Sequence, residues 1–261
     1  SMPGPGSSAH TRNSARELVE GLGLVYREIN ITPSVQLHLK EIGHNAQPDA
    51  AFENAQARER TQILMDLANM HNGLMLGSGD MSELALGFTT YGGDHMSMYN
   101  PNAGLYKSAI RIMIEQAARD SEEGKLSDCL HAILATPISP DLLPPKDGEI
   151  AQRTEEIVGP YELIDFYLYH FLLNRCTPLE LLQLAQTAFG GKYTRESLLR
   201  YMHGFFRRFF ASQFKRSCQT DGPQILSLSL SPRQGLRMPS DGSAALWLDE
   251  IDQLIETGEQ A

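Results

Sequence analysis

A chain of 261 residues with 41% hydrophobic content is long enough for one large domain or two small ones. Its 22 Lys and Arg against 32 Asp and Glu leave a formal charge of −10, which argues against broad nucleic-acid binding, where a basic surface must displace counterions. The three cysteines (Cys129, Cys176, Cys218) make no CxxC or zinc spacing, no segment approaches a membrane span, and no secretory pattern opens the chain. The expectation is a protein of the reducing cytoplasm, not attached to a membrane.

In chain order, Pro3 to Gly6 break structure, and Ala15, Leu18, Val19 and Leu22 recur at helical spacing, predicting a helix from Thr11 to Leu22. Leu24 to Ile31 reads as a strand, and Thr32 as the cap of a helix carrying Val35, Leu37, Leu39 and Ile42. A long helix is predicted from about Ala50 to His71, stopped by Gly73. Leu74, Met75 and Leu76 then form a short buried strand that runs into Gly77-Ser78-Gly79-Asp80 and a new helix from Met81. Helix, strand, glycine turn and helix make an α/β arrangement, in which ligands sit beyond the carboxyl ends of strands.

Thr89 to Asn102 reads as a polar loop, and helices resume at Tyr106 to Ala118 and Leu126 to Leu134. Residues 136–159 are irregular, with prolines at 137, 140, 144 and 145. Three helical patterns follow, Tyr161 to Leu173, Pro178 to Phe189 and Thr194 to Phe214, then a short strand at Ile225 to Leu230 and an amphipathic helix around Ala244 to Leu254. There is no internal repeat.

Three segments carry chemistry-bearing residues. In the turn from Gly77 to Glu83, glycines allow close backbone approach, Ser78 adds a hydroxyl, and Glu83 offers a carboxylate to a hard cation such as Mg²⁺. A second reading stands beside it, in which Asp80 or Ser82 merely caps the helix. In the loop from Tyr91 to Ser97, Tyr91 has a face for stacking and Asp94 a carboxylate for an ammonium ion or a ribose hydroxyl, although Asp-Gly turns are commonly structural. In the helix ending at Arg216, the paired phenylalanines are core, while Lys215 and Arg216 either complement the helix C-terminus or bind an anion. No histidine is assigned a role, and the GxSxG, HExxH and GxxxxGK[ST] patterns are absent.

Met2-Pro3-Gly4 with Thr11-Arg12-Asn13, Phe52 to Arg60 (FENAQARER), Gly77 to Gly87, Tyr91 to Tyr99, Ile157 to Tyr161 (IVGPY), Gln213 to Cys218, Ser231-Pro232-Arg233 and Arg237 to Asp241 stand in one order that resembles the synthetase portion of bacterial glutamine-dependent NAD synthetases. The resemblance covers nearly the whole chain. It implies an α/β fold with a parallel sheet flanked by helices, of the adenine-nucleotide alpha-hydrolase type. Residues 1–135 would be its nucleotide-binding part and residues 136–261 a mostly helical remainder. It implies an ATP-dependent ligase that makes NAD from deamido-NAD through an NAD-adenylate, with Mg²⁺, and with ammonia from glutamine hydrolysed in a separate glutaminase domain. Homodimers or larger homo-oligomers are implied as well.

Carried over position by position, the resemblance places Ser78 and Lys107 at ATP, and Glu83 at the metal and at deamido-NAD. Asn54, Phe88, Thr89, Thr90, Tyr91 and Lys215 fall at deamido-NAD, and Asp94 and Lys107 in catalysis, Asp94 at the ammonia site. Phe88 stands where the family usually has tryptophan, and the segment Asn100 to Lys107 departs from the family's wording. The family's Ser-Gly-Gly-x-Asp-Ser loop and its glutaminase domain have no counterpart in this sequence. The expectation is a chain that forms no NAD alone. The alternatives are a noncatalytic deamido-NAD-binding module and an oligomerisation fragment.

Overall fold

The computed structural model describes residues 1–7, 9–122, 124–136, 138, 155 and 158–258, with the side chains of 9–11 left aside. The predicted irregular stretch 136–159, and with it Ile157 of IVGPY, lies mostly outside the described residues. The chain divides into two compact units: the described residues of Ser1–Met75, Thr90–Ser97 and Ala109–Thr154, and those of Leu76–Thr89, Met98–Ser108 and Glu155–Ala261.

In the first unit, α1 (Ala9–Gly21) packs on α6 (Lys125–Ala135), and α2 (Thr32–Glu41) packs on α3 (Ala50–Met70). The α2–α3 pair closes over a core of Ile31, Val35, Leu39, Phe52 and Ala55, with Met2 and Ile63 against it. Asp49 caps α3, accepting from the N–H groups of Ala51 at 2.9 Å and Phe52 at 3.0 Å. Thr32 does not cap α2. Ile31 occupies that position, and the Thr32 N–H donates instead to Asn30 Oδ1 at 2.9 Å, so the orphan donor is met from one residue farther upstream.

The strand expected at Leu24 to Ile31 is not formed. The segment is tied to the N-terminal residues by bonds in parallel register: the Ser1 amine donates to Arg27 O at 2.7 Å, and the N–H groups of Ile29 and Ile31 donate to Ser1 O and Pro3 O at 3.0 and 2.9 Å. Proline has no N–H, so Pro3 cannot donate back and the ladder is interrupted at that point. Val25 is 95% exposed, so no described neighbour covers it.

The second unit contains α4 (Met81–Leu86), α7 (Tyr161–Leu172), α8 (Pro178–Phe189), α9 (Arg195–Ala211), α10 (Gln213–Ser217) and α11 (Ala245–Gly258). Of α5 (Lys107–Asp120), Lys107 and Ser108 count with the second unit and the remainder with the first. Helix α9 is the centre of the second unit, packing on α4, α7, α8 and α11. Its Leu198, Met202, Phe205, Phe206 and Phe209 are fully buried, as the sequence reading expected of the phenylalanine stripe. Phe171 of α7 meets Phe206 edge-on, with centroids 5.0 Å apart at 80°, a geometry the ring quadrupoles favour. Thr177 and Glu180 make a reciprocal capping box at the start of α8, with Pro178 in the first turn.

Of the expected parallel sheet, the described residues carry one isolated parallel bridge, Leu76 to Tyr99, with the Gly77 N–H donating to Tyr99 O at 2.8 Å. Ile225 to Leu230 is not a strand either. Leu228, Ser229 and Leu230 are buried in succession rather than alternately, and Ser229 O accepts from Leu236 N–H at 3.1 Å, so the backbone closes on its own turn. No helix among the described residues is long and apolar enough to cross a membrane.

Candidate functional site

In the second unit, the turn after Leu76 leads into a capping box. Asp80 Oδ1 accepts from the Glu83 N–H at 2.9 Å, and Glu83 Oε2 accepts from the Asp80 N–H at 3.1 Å. The capping reading of this turn is therefore what the geometry shows, with Asp80 and not Ser82 as the cap. The same two carboxylates also hold a cation. Lys107 Nζ lies 2.5 Å from Asp80 Oδ2 and 2.8 Å from Glu83 Oε1, and stands over the Tyr161 ring at 5.5 Å.

The three charges sit at different depths. The Asp80 side chain is 1% exposed, while those of Glu83 and Lys107 are each 21% exposed. Burial and the neighbouring Glu83 push the Asp80 carboxyl up to about 7, against the pull of Lys107. Burial works against the Lys107 ammonium, but Glu83 and Asp80 outweigh it and hold the amine charged above its ordinary value. Ser78 is exposed on the turn. Asn100 fastens this turn, its Nδ2 donating to Gly79 O at 2.8 Å.

Ser82 and Asp165, neither of them a ligand candidate from the sequence, complete the frame. Ser82 Oγ donates to Asp165 Oδ1 and accepts from the Lys107 N–H at 2.9 Å, while Asp165 Oδ2 accepts from the Ser108 N–H at 2.9 Å. The first free N–H groups of α5 are thus met by α4 and α7, which fixes the position from which the Lys107 side chain departs. Burial raises the Asp165 carboxyl, opposed by these hydrogen bonds. The sequence signal for Asp165 is a carboxylate set between Ile164 and Phe166 in the mostly apolar middle of YELIDFYLYHFL.

The far end of α4 is held by the cations of α10. Gly87 closes the helix in the left-handed conformation, φ +61°, where glycine is unstrained. Lys215 Nζ donates to Gly87 O at 2.6 Å and Thr89 O at 2.5 Å. Arg216, fully buried, donates through Nη1 to Leu84 O at 3.1 Å and Ala85 O at 2.7 Å, and through Nη2 to Phe209 O. Burial brings its guanidinium down to about 10, still charged at neutral pH. The carbonyls these two cations hold lie mainly at the end of α4, not at the end of their own helix as the sequence suggested, and only Phe209 O belongs to α9. Phe88 is half-buried, and the Thr89 hydroxyl is buried with no hydrogen-bond partner among the described residues.

In the first unit, the loop residues assemble around α3. Thr90 Oγ1 donates to Asn54 Oδ1 at 2.9 Å, and the Thr90 N–H donates to Asp94 Oδ1 at 2.8 Å. Tyr91 is half-exposed, its ring stacked on His95 at 5.1 Å, and its carbonyl accepts from Arg58 Nε at 3.2 Å. Asp94 closes its own turn with one oxygen while remaining exposed. Gly93 is needed sterically, since a Cβ there would stand 2.9 Å from Thr90 and 3.1 Å from Ala57. Among the described residues, no three His, Cys, Asp or Glu side chains group as a metal site.

The helix-rich fold is shared with known structures. The chain superposes on the glutamine-dependent NAD(+) synthetase of Cytophaga hutchinsonii with TM-score 0.76 at 22% identity, covering 96% of this chain and 40% of that one. It superposes on the NMN synthetase of Francisella tularensis with TM-score 0.58 at 22% identity, covering 87% of this chain and 76% of that one. The NAD synthase family model matches residues 1–191, and the glutamine-dependent NAD(+) synthetase of Mycobacterium leprae is 38% identical over 97% of this chain. The chain belongs to the NAD synthase family. It spans 41% of the length of that curated relative.

Proposed function

We propose that the chain serves an ATP-dependent amidoligase that converts deamido-NAD to NAD through an adenylate, with ammonia derived from glutamine by a glutaminase domain. The observation that carries this reading is the Lys107 ammonium, kept charged between one buried and one accessible carboxylate beside an exposed serine turn. A triphosphate offers that ammonium more negative charge than Glu83, whose second carboxylate oxygen is already committed to the Asp80 N–H. Asp80 keeps its pair with Lys107 from below, so the amine stays aimed when Glu83 lets go. Ser78 supplies a hydroxyl to the same ligand.

The donor set also fits Mg²⁺. Magnesium needs only one or two carboxylates, with water and phosphate filling the remaining positions, so a metal cluster of three protein ligands is not required. Glu83, released from Lys107, would hold it, and the ion would neutralise charge on the phosphates as pyrophosphate leaves.

For deamido-NAD, the proposed contacts are Asn54, Glu83, Phe88, Thr89, Thr90, Tyr91 and Lys215. The Thr89 hydroxyl, without a partner among the described residues, and the half-exposed Tyr91 ring support this. Asp94, with an exposed carboxylate, is proposed to attract the ammonium that delivers ammonia, and Lys107 to steady charge on the leaving group. We assign residues 1–135 to the nucleotide-binding part, with a parallel sheet flanked by helices in the manner of the adenine-nucleotide alpha-hydrolases, and residues 136–261 to its helical remainder. The parallel Leu76–Tyr99 bridge supports the sheet. Homo-oligomerisation is supported by the exposed Leu24, Val25 and Leu74, and a cytoplasmic setting by three free thiols.

Calorimetric titration of the chain with Mg-ATP and with deamido-NAD tests the reading. Lys107→Met should weaken ATP at least about ten-fold, as expected for losing one charge-assisted contact, with a smaller effect on deamido-NAD. Absence of heat with both ligands at millimolar concentration, or equal ATP affinity in the variant, refutes it.

A further inference from the structure

A separate cavity of about 450 Å³ lies in the second unit, at the end of α7, the turn into α8 and the start of α11. Its volume falls within the range of small-molecule sites. Phe171, Pro178, Leu246 and Trp247 give it an apolar wall, and Arg175 and Glu250 also line it. Phe171 and Trp247 meet edge-on at 6.0 Å and 84°, so the two rings form a corner and not a flat surface.

Two features of Arg175 set this cavity apart. Its φ is +56°, the left-handed conformation that costs a side-chain-bearing residue and that helix ends normally give to glycine. Its guanidinium makes no hydrogen bond or ion pair among the described residues. Glu250 does not pair with it. Glu250 Oε1 accepts from the Leu179 N–H at 3.0 Å, which commits that carboxylate to the start of α8. The Cys176 thiol, also in the lining, is pushed up by burial and by Glu180, which disfavours the thiolate and covalent capture.

We propose that this cavity is a binding site for a small carboxylate with an aromatic or branched apolar body. The body fills the Phe171–Trp247 corner, and the carboxylate is held by the two-pronged Arg175 guanidinium at the rim. The proposal stands apart from the Asp80–Lys107 site and does not depend on the NAD-forming reading.

Trp247 is the single tryptophan of the chain, so its fluorescence reads this cavity directly. The experiment titrates the whole chain with 3-phenylpropionate, and with 3-phenylpropanamide as its neutral counterpart. A saturable change with a half-point at or below about 1 mM is expected for the acid, and one at least about ten-fold weaker for the amide. Arg175→Gly removes the cation and relieves the left-handed strain, so it should weaken the acid about ten-fold while the melting temperature stays equal or rises. No saturable response up to about 10 mM, or equal half-points for acid and amide, overturns the proposal. So does Arg175→Gly binding the acid as wild type does.

Discussion

Replacing Gly87 by alanine tests how the end of α4 is built. Two costs arise together. The backbone there has φ +61°, which charges an alanine roughly 1–2 kcal/mol. The new methyl would stand 2.1 Å from Ser212 Oγ and 2.3 Å from Ser212 Cβ, far inside contact distance, and Ser212 is pinned because its hydroxyl donates to Leu86 O at 3.1 Å. Relief demands a shift of α10 or of the turn, an overpacking cost of about 1–3 kcal/mol. The total of about 2–5 kcal/mol corresponds to a fall in melting temperature of roughly 5–15 °C for a protein of this size.

A second substitution separates the two costs. Ser212→Gly on top of Gly87→Ala removes the colliding atoms and leaves the backbone strain. The double variant should therefore recover about 1–3 kcal/mol relative to the sum of the singles. Thermal unfolding followed by circular dichroism, with urea titrations of all four proteins, measures the cycle. Gly87→Ala within about 0.5 kcal/mol of wild type, or additive single effects, would refute the steric account.

Two further outcomes follow from the carboxylates around Lys107. Asp80 has a folded pKa of about 7 against an ordinary 3.8, so between those values the folded state holds a proton that the unfolded state has released. Stability contributed by this group is present at low pH and lost as pH rises toward 7. Compared with Asp80→Asn, which keeps the cap, wild type should lose up to about 1 kcal/mol per pH unit between pH 5 and 7, read from melting temperatures in matched buffers. A pH-independent difference would contradict the assigned shift. Asp165→Ala strands the Ser108 N–H and the Ser82 hydroxyl, at a cost of about 1–3 kcal/mol, and should slacken Lys107 so that ATP affinity falls too. Asp165→Asn, retaining one acceptor, should restore part of both in the same calorimetric and thermal assays, and equal behaviour of the two variants would argue against a positioning role.

Helices were readable with small boundary errors. The predicted Ala50 to His71 is Ala50–Met70, and Pro178 to Phe189 matches residue for residue, with Thr177 and Glu180 marking its start. The turn at Gly77 to Glu83 was legible both as a cap and as a candidate ligand site, because glycine, aspartate and glutamate stand within seven consecutive residues. Strands were not readable in the same way. Leu24 to Ile31 and Ile225 to Leu230 have strand-like composition, yet neither forms a ladder, since each ladder bond needs a donor from elsewhere in the chain and Pro3 withholds one.

What the sequence determined alone is therefore what closes within a few residues: helix periods, caps, the glycine turn and the family resemblance carried by contiguous words. Tertiary structure alone decided which charges meet. Lys107 lies 24 residues from Glu83, Asp165 lies 83 from Ser82, and Arg216 reaches carbonyls more than 130 residues back. Such pairs leave no periodic trace. Their energy comes from a shared dry environment, and that environment exists only after the helices have packed.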